Sequence, residues 1–539
     1  MTLASQESET RGKNSYSFDE FIEKRQSFDW YRDDAFLQKV VKKYSGTEYE
    51  QVHTKILDFS PRVSFKWSRL ADMNARPEVR PYVLHYDAFN HRIDQIVRPA
   101  ELHELEKEVF GEGLFSSLIH PWESFVKRLL THQIGEAGVT CPLTCTHGLI
   151  ALIDQYNDPE FPELAEILEH TKDGINGDFG IGAQFMTEIQ GGSDLPANLL
   201  EAVPDGKFYR LYGNKFFCSV AHADYSVVTA KISGSKKVSA FIVPSWLPGD
   251  KEKEKRNSYQ INRIKWKLGT AEVPTGEIQY NGAVAYPVGP KDKGIAVAVG
   301  IVLTLSRLEI GIACAGFMLR ASREAQAYGE FRKVFGKNVN EYPLAASKLK
   351  QIKDAAERTT AGAFKIYNEF LQLERPLNPG INTDAPMELR RRLFNLRELI
   401  LLQKISTTQE GVRVLNEAMS VFAGHGVMEE FSSLPRIFRD VVVNEQWEGP
   451  RNLLLTQIYR DIQRVEDWYS PQEFVAGILD GANPETIDRY SVQLEDLLQR
   501  PVLGEVNEAS MEAASEWDTF CSSFFKEYQT VAAEEINSK

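Results

Sequence analysis

Cysteine is scarce and scattered in this chain: Cys141, Cys145, Cys218, Cys314 and Cys521 are all there is among 539 residues. An odd number at such wide spacing is no disulfide framework and predicts reduced thiols. Cys141 and Cys145 fit one helical turn, but only His147 lies near them. A small buried helix contact therefore outweighs a zinc site, and no metal is expected. No continuous apolar run approaches the roughly 20 residues that cross a bilayer, so no membrane insertion is expected. Residues 1–25 hold Glu7, Glu9, Asp19, Glu20 and Glu23. That is unlike an acid-poor transit peptide, and the apolar stretch of a secretory signal is missing, so the chain reads as cytoplasmic. Positive charge is short as well. The formal net charge is −14, and residues 461–539 hold 17 Asp and Glu against 5 Lys and Arg, which accounts for 12 of those negative charges. A nucleic-acid surface needs the opposite sign, so nucleic acid is not an expected partner. Internal repeats and long low-complexity segments are absent.

What is present is ordinary in bulk and patterned in detail. Apolar residues make up 42% and charged residues 26%, as in a soluble globular protein. The length predicts two or three domains. Residues 1–180 read as mostly helical: Trp122, Phe125, Val126, Leu129 and Leu130 keep helical spacing, as do Leu149, Leu152, Ile153 and Tyr156. Pro121 and Pro142 each fit a turn or a helix start. Residues 181–290 switch to short Val-, Ile-, Tyr- and Phe-rich segments: 207–219, 225–232, 238–246, 261–268 and 277–288. Breaks such as Gly213-Asn214, Ser233-Gly234 and Asn281-Gly282 lie within or between them. That pattern predicts an antiparallel sheet or barrel. The charged run 251–256 is a solvated loop between two strands. Residues 291–460 return to helices long enough for a bundle, over 297–328, 344–373 and 389–418. The Pro376-Leu377-Asn378-Pro379-Gly380 segment, ending near Pro386, is a predicted inter-helix loop. Residues 461–539 read as an acidic helical extension hinged at Tyr469-Ser470-Pro471, most simply a solvated appendage, with packing on the bundle or oligomer contacts as the open alternatives.

Two distant pieces can carry chemistry. In Gln184-Phe185-Met186-Thr187-Glu188-Ile189-Gln190-Gly191-Gly192-Ser193-Asp194, hydroxyls and glycines suit the polar edge of a planar ring and a closely approached pyrophosphate. In Gln446-Trp447-Glu448-Gly449, a lone carboxylate beside an aromatic can have its pKa raised by desolvation and act as a base. Taken singly, each reads as an ordinary loop or as a glutamate at a helix N-terminus. Gly213–Ser219 adds an aromatic and a hydroxyl at a strand end, and Arg332–Lys337 adds a basic group that can meet a phosphate.

Met186–Asp194, Asn214–Ser219, Asn281–Gly289, Arg332–Lys337, Gly424–Val427, Arg439-Asp440 and Trp447–Gly449 occur in the order of the acyl-CoA dehydrogenase family. The chain resembles that family from about residue 100 to 460. The Gln-Gly-Gly-Ser-Asp wording, Cys141-Pro142-Leu143-Thr144, the Trp-Glu-Gly form and the C-terminal extension resemble its AidB-like branch.

The resemblance implies a mainly α fold with a central β-barrel: a helical N-terminal domain (1–180), a middle barrel (181–290), a four-helix bundle (291–460) and the extension (461–539). It implies FAD between barrel and bundle, and a homotetramer. Gln184, Phe185, Met186, Thr187, Gly191, Gly192 and Ser193 line the flavin on this reading. Phe217 takes the place of a family Trp, with Cys218 beside it, and Ser219 the place of a Thr near the flavin N5. Arg332, Ala423 and Gly424 reach the cofactor of a neighbouring subunit. Glu448 is the base that removes the α-proton of an acyl thioester while the β-hydride passes to the flavin, and Ser193 and Gly449 meet substrate. The substrate is a fatty acyl-CoA of medium or longer chain, and an electron-transfer flavoprotein is the implied acceptor.

Departures from the family pattern fall at Ser420–Gly424, at Pro450 and at Lys267–Ala271. Two other functions stay open from the sequence: a DNA-associated protective flavoprotein, and an acyl-CoA-binding flavoprotein with little turnover.

Overall fold

Pro121 opens the first helix that bears on the site, α1 (Pro121–His132), where its missing N–H is no loss, and the His120 ring caps the Trp122 amide. Every residue of α1 from Trp122 onward is buried, charged ones included. Helix α2 (Ala137–Gln155) follows, capped by Glu136, whose carboxylate accepts from the Gly138 amide. Pro142 lies inside α2 rather than at its start. The computed structural model describes residues 16–174, 177–375 and 385–538, so most of the predicted loop 376–386 lies outside the described residues.

The N-terminal part is helical with one exception. Strands β1 (Tyr82–Tyr86) and β2 (Arg92–Val97) form an antiparallel hairpin, which the reading of 1–180 as mostly helical passed over. Asp94, on β2, accepts from the Ile261 amide and so docks the hairpin on the sheet domain.

That domain is a seven-stranded sheet: β3 (Gly182–Phe185), β4 (Glu201–Asp205), β5 (Phe208–Ser219), β6 (Tyr225–Ile232), β7 (Val238–Pro244), β8 (Tyr259–Ile264) and β9 (Thr275–Val288). It closes because β6 pairs with both β4 and β7, completing the ring β6-β4-β5-β9-β7. Strands β3 and β4 are too short to show alternation, and both pair with β6 in parallel. Gly213-Asn214 and Asn281-Gly282 are not turns. They lie inside β5 and β9, where the register shifts between Leu211 and Tyr212 and Gly282, at φ +96°, is the inserted residue. A bulge of this kind bends the strands and helps a small barrel close.

After β9 the chain runs through Gly294–Val297 and a π-turn, Ala298–Leu303, into α3 (Thr304–Phe331). Helices α4 (Pro343–Gln372) and α5 (Met387–Val421) pack on α3, and α6 (Leu434–Gln446) and α7 (Arg451–Val465) complete the bundle. By length and composition, α2 and the helix over Gly294–Phe331 can each cross a membrane, contrary to the expectation of no such run. Both are interior helices, with 72% of each apolar window buried in the fold.

The C-terminal residues form α8 (Pro471–Ile478), α9 (Pro484–Gln499) and α10 (Glu508–Asn537). They are no solvated appendage. Trp517, Phe520, Phe524, Phe525 and Tyr528 of α10 are buried, and α10 packs on α4 and α5. The Trp517 indole donates to the Leu455 carbonyl, and Asp518 pairs with Arg451. Three arginines of α5 are ion-paired within the chain, Arg391 with Glu473, Arg392 with Glu369 and Arg397 with Asp461, and Arg390 lies over the Trp468 ring at 4.1 Å.

Candidate active site

Between the barrel and the helices lies a cavity of about 620 Å³. Its walls come from α2, the ends of β3, β5 and β9, the inner face of α3, and the segment joining α6 to α7.

That joining segment is a reversed turn. Glu448 has φ +59° and Gly449 φ +97°, both left-handed, between the end of α6 and Pro450, the N-cap of α7. Glycine tolerates this conformation; for Glu448 it costs roughly 1–3 kcal/mol and is held by what surrounds it. Two buried cations hold it. Arg307 Nε donates to the Glu448 carbonyl at 2.9 Å. Lys404 Nζ donates to the carbonyls of Glu445 at 2.9 Å and Gly449 at 2.7 Å. Burial pushes Arg307 down to about 10 and Lys404 down to about 8, with the Glu448 carboxylate opposing both shifts.

The Glu448 carboxyl turns into the cavity, where burial raises its pKa to about 7 against the pull of Arg307, Lys404 and a hydrogen bond from Gln184. That hydrogen bond, Gln184 Nε2 to Glu448 Oε1 at 2.7 Å, joins the first strand of the barrel to the bundle. A carboxyl poised near neutrality in a cavity is suited to general-base work.

The 186–198 loop is fixed from beneath. Lys215, fully buried in the barrel, donates to Glu188 Oε1 and to the Met186 carbonyl, both at 2.9 Å. Glu188 also accepts from the amides of Leu199 and Leu200. Thr187, Gly192 and Ser193 are thereby presented to the cavity, and the hydroxyls of Thr187 and Ser193 have no hydrogen bond among the described residues.

Phe217 projects from β5, 51% exposed at the cavity wall, with Lys265 Nζ 4.7 Å from its ring centre. Behind it, Ser219 bonds Thr275 at 3.1 Å, and Thr275 accepts from Lys267 Nζ at 2.9 Å. Burial lowers Lys267 to about 8.

The predicted site residues divide into three groups. Gln184, Met186, Thr187, Gly192, Ser193, Phe217, Ser219, Glu448 and Gly449 line this one cavity. The side chains of Phe185 and Cys218 turn into the core, and Gly191 is buried under the loop, where a Cβ would lie 2.4 Å from Asn198 Oδ1. These three offer backbone only. Arg332, Ala423 and Gly424 do not line the cavity. Arg332 lies over the Tyr16 ring at 4.7 Å, and Ala423 and Gly424 are exposed in the turn after α5.

Sequence reasoning passed over Arg307, Lys404 and Glu309. Glu309 is a buried cavity wall residue that accepts from Arg128 and His132. A signal for two of them was available: Arg307 and Glu309 are charges inside an otherwise apolar helical run, which a buried helix keeps only with partners.

A flavin suits these residues. An aromatic face (Phe217), the hydroxyls of Thr187 and Ser193, and two buried polar atoms without partners among the described residues, Gln184 Oε1 and Trp447 Nε1, surround the cavity of about 620 Å³.

The family model described as "Acyl-CoA dehydrogenase, C-terminal domain" matches residues 292–463, and "Adaptive response protein AidB N-terminal domain" matches residues 22–172. The chain is 28% identical over 446 residues to acyl-CoA dehydrogenase family member 11 of Caenorhabditis elegans, covering 79% of this chain and 69% of that protein. It is 28% identical over 445 residues to the putative acyl-CoA dehydrogenase AidB of Escherichia coli K12, covering 79% and 76%. The solved structure of C. elegans ACDH-11 in complex with C11-CoA superposes with a TM-score of 0.79 at 21% identity, over 99% of this chain and 94% of that one. This last likeness speaks to the fold.

Proposed function

The chain belongs to the acyl-CoA dehydrogenase family of FAD-dependent oxidoreductases, and from that premise we propose that it dehydrogenates a medium or longer fatty acyl-CoA across the α,β bond, with Glu448 as the α-proton base. The observation that carries this reading is the Glu448 carboxyl: half-buried at the cavity wall, held by Gln184 and raised to about 7 by desolvation.

The α-C–H of a thioester is a weak acid, so the base must be ionised, close and shielded from water. The Glu448 carboxyl stands at the cavity wall, half-buried, and ionises near neutrality. Its own backbone N–H has no partner among the described residues and is left to donate to the thioester oxygen as negative charge develops there. Arg307 and Lys404 fix the turn so that carboxyl and amide keep their mutual geometry. The 184–193 loop and Phe217–Ser219 would hold FAD, which when bound would supply the acceptor for the β-hydride.

The cavity's shape supports a long substrate. From Arg307 to Phe317 the wall follows α3 for roughly 15 Å, with Ile310, Ala313 and Phe317 facing in, as an acyl chain of medium or greater length requires. In the other direction, Ile295 and Val299 are shared with a second groove of about 830 Å³ lined by Lys236, Lys237 and Lys293. These three lysines have no carboxylate within 4 Å among the described residues, and they stand at the N-terminal end of the 294–331 helix, roughly 20 Å from Arg307. Cations and a helix N-terminus suit the phosphates of a CoA carrier.

We also propose a homotetramer, in which Arg332, Ala423 and Gly424 meet a neighbour's cofactor, an electron-transfer flavoprotein as acceptor, and a cytoplasmic location. The exposed Trp266, Phe335 and Leu344 suit burial between subunits, and sedimentation at micromolar concentration tests that point. The paired arginines of α5 and the acidic C-terminal residues leave the DNA-associated reading without a supporting observation.

The test is an anaerobic titration of the yellow protein with acyl-CoAs of increasing length. Flavin bleaching that peaks at one length supports the proposal, and loss of bleaching in Glu448→Gln assigns the base. Tight acyl-CoA binding with no bleaching at any length overturns it.

A further inference from the structure

The sequence placed Gln184 among flavin-lining residues, yet its strongest contact is to the base. Gln184 lies in β3, paired in parallel with β6 opposite Val227, and its Nε2 donates to Glu448 Oε1 at 2.7 Å. Ser306 Oγ lies 3.4 Å from the same nitrogen. The other arm of the amide, Oε1, is buried and has no partner among the described residues.

A primary amide carries a donor and an acceptor on one planar fork, and a half-turn about its last bond exchanges them. A carboxylate only accepts; a carboxylic acid also donates. The two ends of the Gln184 amide therefore match the two states through which a general base must pass. We propose that Gln184 is a positioning residue that follows the protonation state of Glu448: its N–H donates to the carboxylate before proton abstraction, and after a half-turn its Oε1, brought to the place that Nε2 held, accepts from the acid and from the Ser306 hydroxyl.

The other charged or titratable groups facing Glu448 cannot do this. Arg307 from α3 and Lys404 from α5 are donors already engaged by backbone carbonyls. Cys145 from α2 is held as a thiol by its contact with Cys141 and by burial. No bond to Gln184 is made or broken; it keeps the carboxyl in one orientation in both states, so that the atom that takes the proton stays aimed at the substrate. The role rests on the reading of Glu448 as the base.

The test needs no turnover. Protein labelled with ¹⁵N in glutamine side chains is titrated between pH 5 and 9, with Gln184→Leu assigning the Gln184 amide resonance. In parallel, the carboxylic C=O infrared band that Glu448→Gln removes gives the Glu448 midpoint. The amide resonance is expected to move with the Glu448 midpoint and to stop moving in Glu448→Gln. In Gln184→Leu, or in Gln184→Met should the first variant fold poorly, the Glu448 midpoint is expected to rise by about one pH unit, because the charge-assisted bond lost is the stronger of the two. An amide resonance that stays still while Glu448 titrates, or a midpoint unchanged in a folded variant, overturns the proposal. If the amide follows Glu448 but no acyl-CoA reduces the flavin, the positioning role stands and the dehydrogenase reading falls. Reduction with a silent amide gives the reverse.

Discussion

Lys215 Nζ lies 2.9 Å from Glu188 Oε1 in the interior of the barrel, and the same ammonium reaches the Met186 carbonyl at 2.9 Å. One buried ion pair thus fixes the loop that presents Thr187, Gly192 and Ser193 to the cavity. Its charges cannot be removed singly. Lys215→Met leaves the buried Glu188 carboxylate without its cation, and the expected cost is about 3–5 kcal/mol, read as a lowered urea midpoint. Flavin affinity is expected to fall in the variant, since the loop loses its anchor.

Replacing Glu448 has effects of opposite sign on rate and stability. Glu448→Gln is expected to slow flavin reduction by about 10²–10⁴-fold, measured by anaerobic stopped flow. Burial raises the folded-state pKa to about 7 from an ordinary value of 4.5, so the folded state holds a proton more tightly than the unfolded chain between these pH values. Stability therefore falls as pH rises through that window. The glutamine variant, which has no charge to bury, is expected to be more stable than the parent at pH 8, by about 2–3 kcal/mol.

The rate of the native protein follows from the same shift. Only the ionised carboxyl accepts a proton, so flavin reduction is expected to rise with pH through about 7. Stopped-flow rates across pH 5.5–9 check this; a limb near 4.5 would mean that Glu448 is solvated in the working enzyme.

Lys404→Met removes the donor from the carbonyls of Glu445 and Gly449. Two part-buried acceptors then lose their donor, at about 1 kcal/mol each, and the left-handed turn at Glu448 loses a clamp. A lowered melting temperature together with a loss in kcat is expected. The pH limb is expected to move up as well, because a cation that favoured the carboxylate is gone.

Deleting residues 508–537 strips Trp517, Phe520, Phe524, Phe525 and Tyr528 from the bundle and leaves apolar faces of α4 and α5 uncovered. The truncated protein is expected to aggregate, as light scattering during expression and refolding will show. A soluble, fully active truncation would mean that α10 adds nothing to the fold.

The sequence by itself determined the succession of helix, sheet and helix, because the apolar period changes from 3.6 to 2 near residue 181 and back near 291. Its motifs also singled out Glu448 and the 184–194 loop. Short elements escaped it: β3 and β4 hold too few residues to show a period, and the 82–97 hairpin was overshadowed by its helical neighbours. The acidity of the last 79 residues suggested solvation, whereas the stripe of large aromatics from Trp517 to Tyr528 carries the packing.

Only the tertiary structure decided what surrounds the base. Gln184 and Glu448 are 264 positions apart, and Arg307 and Lys404 reach the turn from two other helices. Contacts between elements and the desolvation they impose are properties of the assembled interior. No local pattern of residues contains them, and they are what turn an ordinary glutamate into one that titrates near 7.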